Sequence, residues 1–389
     1  MEHKQKPLNI LVVSFDWRNI FENNFKELKE KLERDRIWPD FNNIFIISWS
    51  TRTYYKTSGN IKTFHLRTFF TKFRLAYDFL SIFLVPVILL RKKFKPDVMV
   101  VRDFPVVFAG LFAKLIWGTK ILFFLGSMPT ELAKTRKLGY LRAAYQRLAE
   151  ITAKPLIDVF VANGTATREY LVKMGVKREE IKIMVEDVIS RDKKIIDNSK
   201  KGEIRNLYKI EENKKIILSV GRLEQEKGFE ALIESFGQLN RDDLVLIIVG
   251  EGALKSNLIE KTKSLGIADK VIFAGFVYRE GIWDYYNDAD VFILLSNSEG
   301  NPTVFREAMY MGVPVIGSKI EAIREFVGED ESRGFLWSKE DGIDDLERKI
   351  DFCLDPIRRL EMVNGAKAYI NKNVDCDYHI NDFVCCSIR

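Results

Sequence analysis

Glu299 and Glu307 stand eight residues apart in the stretch Glu299-Gly300-Asn301-Pro302-Thr303-Val304-Phe305-Arg306-Glu307. Two carboxylates can accept hydrogen bonds from the hydroxyls of one ligand if a turn and a helix start present both to the same side. The apolar run Val291–Leu295 predicts a strand that feeds the loop Ser296–Asn301. A helix is then expected from Pro302 or Thr303 to Met311, with Gly312 as its stop. Both acids therefore fall at the carboxyl end of a strand, where open α/β sheets hold ligands. The first turn of a helix leaves backbone N–H groups unpaired, so Gly300, Asn301, Pro302 and Thr303 are candidate contacts to an anion. The combination suits a ligand with both hydroxyls and phosphates.

A second pair consists of cations. Arg222 and Lys227 flank the loop that begins at Gly221 after the predicted strand Ile216–Val220, and Gly228 opens the next helix. Cations and helix starts stabilise negative charge on phosphate groups, with no metal required. The spacing allows both side chains to converge on one phosphate pair. Taken singly, each pair is ordinary: most such Glu pairs are solvated helix faces, and most such cations are surface charges.

Two further patterns carry less. Gly250-Glu251-Gly252 begins like a dinucleotide fingerprint, but Ser256-Asn257 stand where another Gly is required. Asp288-Ala289-Asp290 has a form that can hold a divalent ion, yet it precedes Val291–Leu295 and so lies at the wrong end of the sheet. With His3, His65 and His379 the only histidines, a His-based metal site is not expected. Neither a metal nor a cofactor is expected.

Strand and helix signals alternate along the chain, which predicts βαβ units with a mostly parallel sheet in each half. Strands are expected at Asn9–Ser14, Ile44–Ser48, Val98–Val101, Lys120–Leu125 and Val159–Ala162, then at Ile216–Val220, Val245–Val249, Val271–Ala274, Val291–Leu295 and Val313–Gly317. Helical pattern fills Ile20–Glu33, Phe73–Lys92, Val106–Trp117, Leu138–Ala153, Ile343–Leu354 and Pro356–Asn371. A chain of 389 residues exceeds one ordinary core and suits two domains. The polar stretch Ser190–Gly202 reads as the linker between them plus the approach to the second domain.

Net charge is +6, but Thr51–Lys95 holds ten Lys/Arg against Asp78 alone, a net +9 that leaves −3 on the rest. Aromatic residues from Tyr54 to Phe83 are interleaved with those cations. Such a mixture fits an anionic membrane surface better than nucleic acid, and a solvated basic face is the plainer reading. The apolar run Leu75–Leu90 contains Asp78 and Pro86 and is too short for a span. A peripheral rather than integral membrane protein is expected. Cys353, Cys376, Cys385 and Cys386 form no disulfide framework and the start Met1–Lys6 carries no apolar signal core, so the cytoplasm is the expected compartment.

Five ordered segments together resemble the retaining glycosyltransferases of family 4, also known as glycosyl transferases group 1. They are Val220–Gly228, Val249-Gly250-Glu251-Gly252, Val271–Val277, Asp290-Val291-Phe292, and Glu307-Ala308-Met309 with Gly312–Ile316. The resemblance implies the GT-B fold, in which two Rossmann-like domains face each other across a cleft. The boundaries it implies are an acceptor domain at 1–195, a nucleotide-sugar donor domain at 196–372, and a C-terminal helix at 373–389 that returns to the first domain. It implies that Arg222 and Lys227 bind the diphosphate, that Glu307 accepts from the ribose, that Glu299 contacts the transferred sugar, and that Val277 and Tyr278 border the base.

The first half departs from the family. Asp16, Trp17 and Arg18 follow the first strand where relatives carry two glycines, Leu125 precedes Gly126-Ser127 where many carry a His, and Val185-Glu186-Asp187-Val188 replaces an Asn-Gly-Val-Asp-like turn. Asp16, Trp17, Arg18, Arg102, Gly126 and Ser127 are the candidates for the acceptor side. The expected activity is metal-independent hexosyl transfer from a nucleotide-diphosphate sugar to a glycan or lipid-linked acceptor, in cell-surface polysaccharide or glycolipid synthesis. The alternatives are a nucleotide-sugar epimerase of the same fold, or a non-catalytic nucleotide-sugar-binding subunit.

Overall fold

The computed structural model describes residues 8–13, 43–50, 54–58, 61–67, 74–102, 104–126, 139–184 and 188–374. The chain passes from a first compact unit to a second between residues 186 and 187.

Among the described residues of the first unit eight strands form one sheet: β1 (Asn9–Val13), β2 (Asn43–Ser50), β3 (Tyr54–Ser58), β4 (Ile61–Arg67), β5 (Val98–Val101), β6 (Lys120–Leu125), β7 (Val159–Ala162) and β8 (Ile181–Ile183), in the order β3-β4-β2-β1-β5-β6-β7-β8. Every pairing is parallel except β3 with β4, where Tyr54 lies opposite His65 and Ser58 opposite Ile61. This edge hairpin was not among the expected strands. Its residues fall inside the basic, aromatic stretch, whose mixed composition hides a period-2 pattern. The central strands β1 and β5 are buried almost without interruption, as expected for a parallel sheet covered on both faces. Helices Arg74–Arg91, Phe104–Trp117 and Gly139–Ala153 follow β4, β5 and β6 and pack side by side, with Val85, Leu89, Val107, Ala109 and Ala153 in the core. Ile20–Glu33 lies outside the described residues.

The second unit holds six parallel strands: β9 (Lys215–Val220), β10 (Leu244–Val249), β11 (Val271–Gly275), β12 (Val291–Leu294), β13 (Val315–Ser318) and β14 (Phe335–Trp337), ordered β11-β10-β9-β12-β13-β14. Apolar side chains on both faces form two cores, one around Trp283, Phe292 and Phe305 and the other around Phe229, Ile248 and Ile350. The chain leaves β9 toward β10 and β11, then returns to lay β12 on the opposite side of β9. The strand order thus reverses between β9 and β12, and the loops after these two strands share one edge.

The stretch Ser190–Gly202 falls within the second unit and is largely helical. Helix Val188–Asp197 occupies most of it, and helix Glu203–Tyr208 follows. Its few apolar residues suffice because Ile195 and Ile196 pack on the core around Trp283. Helix Arg358–Val374 is the last described element, so nearly all of the expected returning helix 373–389, including Tyr378–Val384, lies outside the described residues. Among the described residues no helix is long and apolar enough to cross a membrane.

Candidate active site

The loops after β9 and β12 touch backbone to backbone. Gly228 has φ +67°, and a Cβ there would lie 1.9 Å from the carbonyl oxygen of Leu295. Only glycine fits both the left-handed backbone and the close approach. Asn297 N donates to Glu226 O at 2.8 Å, and Asn297 Nδ2 donates to Gln225 O at 3.1 Å. The same device joins the loop after β10: Gly250 has φ +141°, and a Cβ would meet Gly221 O at 1.9 Å. This explains Gly250-Glu251-Gly252 as a packing motif that supports the Gly221 loop.

That contact brings Lys227 to Glu299. The Lys227 ammonium donates to both carboxylate oxygens, at 2.7 and 2.9 Å, and Ser296 Oγ donates to Glu299 Oε1 at 2.7 Å. Both members are largely withdrawn from water, with side-chain exposures of 18% for Lys227 and 8% for Glu299. Arg222 behaves differently. Its side chain is 64% exposed and pairs with Glu224 at 2.8 Å and Glu226 at 3.6 Å. Local acids two and four residues away engage Arg222, while Lys227 is drawn across to the β12 loop.

Helix Thr303–Met311 starts after Pro302, ends at Gly312 in the left-handed region, and carries Glu307 in its second turn. Glu307 is buried. Arg279 Nη1 donates to its Oε1 at 2.7 Å, and the Tyr286 hydroxyl donates to its Oε2 at 2.8 Å. Burial pushes the Glu307 carboxyl above the ordinary range, against the opposing pull of Arg279 and Tyr286. Burial likewise raises the Tyr286 phenol well above its usual range. The helix puts the acid at the same edge as Glu299, but its immediate neighbours come from the segment after β11. In that segment Val277 is half-buried and Tyr278 is 74% exposed, its ring edge-on to Phe276 with centroids 5.2 Å apart.

In the first unit Arg102 and Gly126 sit together at the ends of β5 and β6. The Arg102 guanidinium lies over the Phe124 ring, 5.3 Å from its centroid, and a Cβ on Gly126 would lie 3.1 Å from Arg102 Nη2. Asn163, after β7, donates through Nδ2 to Gly126 O at 3.0 Å. Asp16, Trp17, Arg18 and Ser127 lie outside the described residues, as do 185–187.

Asp288 and Asp290 work within the fold. Asp288 accepts from the backbone N–H groups of Gly202, Ile204 at 2.8 Å and Arg205 at 3.0 Å, which caps helix Glu203–Tyr208. Asp290 accepts from Ile216 N at 2.8 Å and Arg205 Nη2 at 3.1 Å. Among the described residues no group of three or more His, Cys, Asp or Glu is gathered to hold a metal ion.

Residues 200–369 match the family model described as glycosyl transferases group 1. The match lies within the second unit and takes in the loops after β9 and β12. The chain is 32% identical over 179 residues to an uncharacterized glycosyltransferase, MJ1607, of Methanocaldococcus jannaschii, covering 46% of this chain and 45% of that one. It is 28% identical over 243 residues to the Campylobacter jejuni GalNAc-alpha-(1->4)-GalNAc-alpha-(1->3)-diNAcBac-PP-undecaprenol alpha-1,4-N-acetyl-D-galactosaminyltransferase, covering 61% and 62%. The matched stretches thus span about half of these relatives. Over 95% of this chain and 96% of the other, the structure superposes on Anabaena HepE in complex with UDP and glucose, with a TM-score of 0.67 and 18% identity. The fold is GT-B.

Within the group 1 match, Lys227, Glu299 and Glu307 come from the loops and helix that follow β9 and β12, and Arg222, in the β9 loop, is held by Glu224 and Glu226. Ser296, Asp192, Arg279 and Tyr286 were absent from the sequence-predicted site. Ser296 is in the quoted loop and could have been included. Tyr286 sits in an apolar helix pattern that reads as core, and no local signal pairs Arg279 with an acid 28 residues away.

Proposed function

We propose that this chain is a retaining, metal-independent glycosyltransferase that moves a hexosyl group from a nucleotide-diphosphate sugar to a glycan or lipid-linked acceptor. The observation that carries the reading is the placement of Lys227, Glu299 and Glu307 at the strand-order reversal of a group 1 domain. In this reading Lys227 offsets charge growing on the leaving diphosphate, with Arg222 joining it once released from Glu224. Glu299 holds the sugar hydroxyls and Glu307 accepts from the ribose. The amides of Gly221 and Gly300–Thr303 supply further donors, and Val277 and Tyr278 border the base. No cofactor besides the donor is required. Arg102 and Gly126 are assigned to the acceptor.

The acceptor is met at the inner face of the cell membrane, in cell-surface polysaccharide or glycolipid synthesis. Support comes from the outer surface of the first unit's helices. Leu80, Phe83, Val87 and Leu90 recur along one face of helix Arg74–Arg91 and are exposed, as are Leu115 and Ile116 on the helix beside it and Leu148 and Ile151 on the helix beyond that one. Arg91, Lys92, Lys93 and Lys95 are exposed at the end of that helix. Apolar side chains bordered by cations fit an anionic bilayer. The Campylobacter relative, whose name includes an undecaprenol-linked substrate, supports a lipid-linked acceptor.

The test is product analysis after incubation with a panel of nucleotide sugars and a membrane-lipid extract. A glycosylated product with the donor's anomeric configuration is expected. Release of an isomerised nucleotide sugar would favour the epimerase, and tight donor binding without any product would favour the silent subunit.

A further inference from the structure

Arg279 sits between two buried acids. Its Nε donates to Asp192, whose side chain is 5% exposed, and its Nη1 donates at 2.7 Å to Glu307, which is 2% exposed. The guanidinium also lies over the Trp283 ring, with Cζ 4.9 Å from the centroid. Its Nη2 is buried without a hydrogen-bond partner. A planar fork held at two points and stacked on an indole has one orientation, so the acid it meets has one orientation too. Asp192 belongs to helix Val188–Asp197, the first element of the second unit. The Arg279 bridge therefore fixes Glu307 against that helix as well as against Tyr286.

We propose that Arg279 is a positioning residue of the donor site, which acts through Glu307 to present one carboxylate oxygen edge to the nucleotide ribose. The proposal rests on the reading of Glu307 as the ribose acceptor. A buried carboxylate with no cation beside it takes up a proton, and a protonated acid loses half of its capacity to accept from two hydroxyls. Among the described residues, the charged or titratable groups facing Glu307 are Arg279 and Tyr286, from the loop and helix after β11, and Asp192, which opposes them. Strands β12 and β13 bring no ionisable residue, and helix Arg358–Val374 brings Lys367 only to the far end, at Gly312. Arg279 is thus the one cation acting directly on Glu307 among these groups.

The test is calorimetric titration of the full chain with whichever of UDP, GDP and ADP binds most tightly, from pH 5 to pH 8. Arg279→Met should weaken binding at pH 7 at least tenfold, and its affinity should begin to fall at a higher pH on acidification than that of the wild type. A merely structural role would lower affinity evenly across the range. Superimposable pH profiles for Arg279→Met and wild type overturn the proposal. If Arg279→Met does not fold, Arg279→Lys replaces it, since an ammonium keeps the charge but cannot bridge both acids as a planar fork; a several-fold loss at pH 7 is expected, and unchanged affinity overturns the proposal. Glu307→Gln separates the two readings. If it leaves affinity unchanged, the ribose role fails; if it weakens binding while Arg279→Met does not, only the positioning role fails.

Discussion

Lys227 and Glu299 lie 72 residues apart in sequence and form a two-point ion pair at 2.7 and 2.9 Å. A cation assigned to the diphosphate and an acid assigned to the sugar are thus mutual partners. The pair keeps both largely buried charges compensated. An arriving diphosphate then has to share Lys227 with Glu299, which would draw the phosphate and sugar contacts into one assembly.

Lys227→Ala and Glu299→Gln should each lower kcat by about 10²-fold or more, the loss typical of removing one charge-stabilising group, with smaller effects on the donor KM. Because the two groups act as a unit, the double variant should lose far less than the product of the single losses, with a coupling of about 0.5–3 kcal/mol. Steady-state kinetics on all four proteins decides this, and additive losses would show that the pair does not act together.

Glu307→Gln should weaken nucleoside diphosphate binding by about 1.5–3 kcal/mol, the range for hydrogen bonds to a charged group. Calorimetry at pH 7 measures it directly. For the wild type the sign of the pH effect follows from burial, which raises the folded-state Glu307 carboxyl above its ordinary range. Its charged form is therefore lost from the acid side sooner than for an exposed Glu, and affinity should fall on acidification. Stability moves the opposite way: a raised carboxyl binds its proton more tightly folded than unfolded, so this group costs stability as pH rises through the ordinary carboxylate range.

Gly228→Ala should destabilise the second unit, since the left-handed backbone alone costs about 1–2 kcal/mol for a residue with a Cβ and the Leu295 carbonyl oxygen blocks that atom. Thermal unfolding should shift down by about 2–4 °C per kcal/mol for a unit of 150–250 residues. Activity should fall along with it, because the same contact carries Lys227 to Glu299. An unchanged Tm would mean that the two loops do not meet as described.

Asp288→Ala removes a helix cap, at a cost of about 0.5–2 kcal/mol. A lowered Tm with kcat retained below the unfolding transition is expected, and EDTA should leave wild-type turnover intact. A strict divalent-ion requirement that vanishes in Asp288→Ala would return the Asp-x-Asp stretch to the site.

The basic, apolar helix face should bind vesicles containing anionic phospholipid, with each Lys or Arg near the surface contributing about 1 kcal/mol, and salt should weaken the attachment. The variant Phe83→Ser, Leu90→Ser, Lys92→Ser, Lys93→Ser should remain in the supernatant. Equal sedimentation of variant and wild type would make the face a solvated one, and a variant of halved mass in solution would assign it to self-association.

Much of the second unit was legible from sequence, for local reasons. The strands β9 to β13 are continuous apolar runs bounded by glycine or polar turns, and the helix Thr303–Met311 has its start and its Gly312 stop written beside it. Glu299 and Glu307 could be placed at a strand end because strand, loop and helix follow one another directly. Strands β8 and β14 and the edge hairpin β3–β4 were missed: β8 and β14 are three residues long, and a short or mixed-composition strand declares itself only through its neighbour. The helix within Ser190–Gly202 was missed because the polarity of that segment outweighs the two isoleucines that find the core.

Which charges meet was decided only by the tertiary structure. Sequence proximity placed Arg222 with Lys227, yet Arg222 turns to Glu224 and Glu226 while Lys227 reaches Glu299. Asp192, Arg279 and Glu307 come from three separate segments, and nothing local to any of them names the others. Residue type and spacing determine which groups stand at strand ends and helix starts, because backbone periodicity is a local property. The pairing of buried charges is set by strand order, which brings the loops after β9 and β12 to one edge and leaves each buried charge to find its partner across that edge.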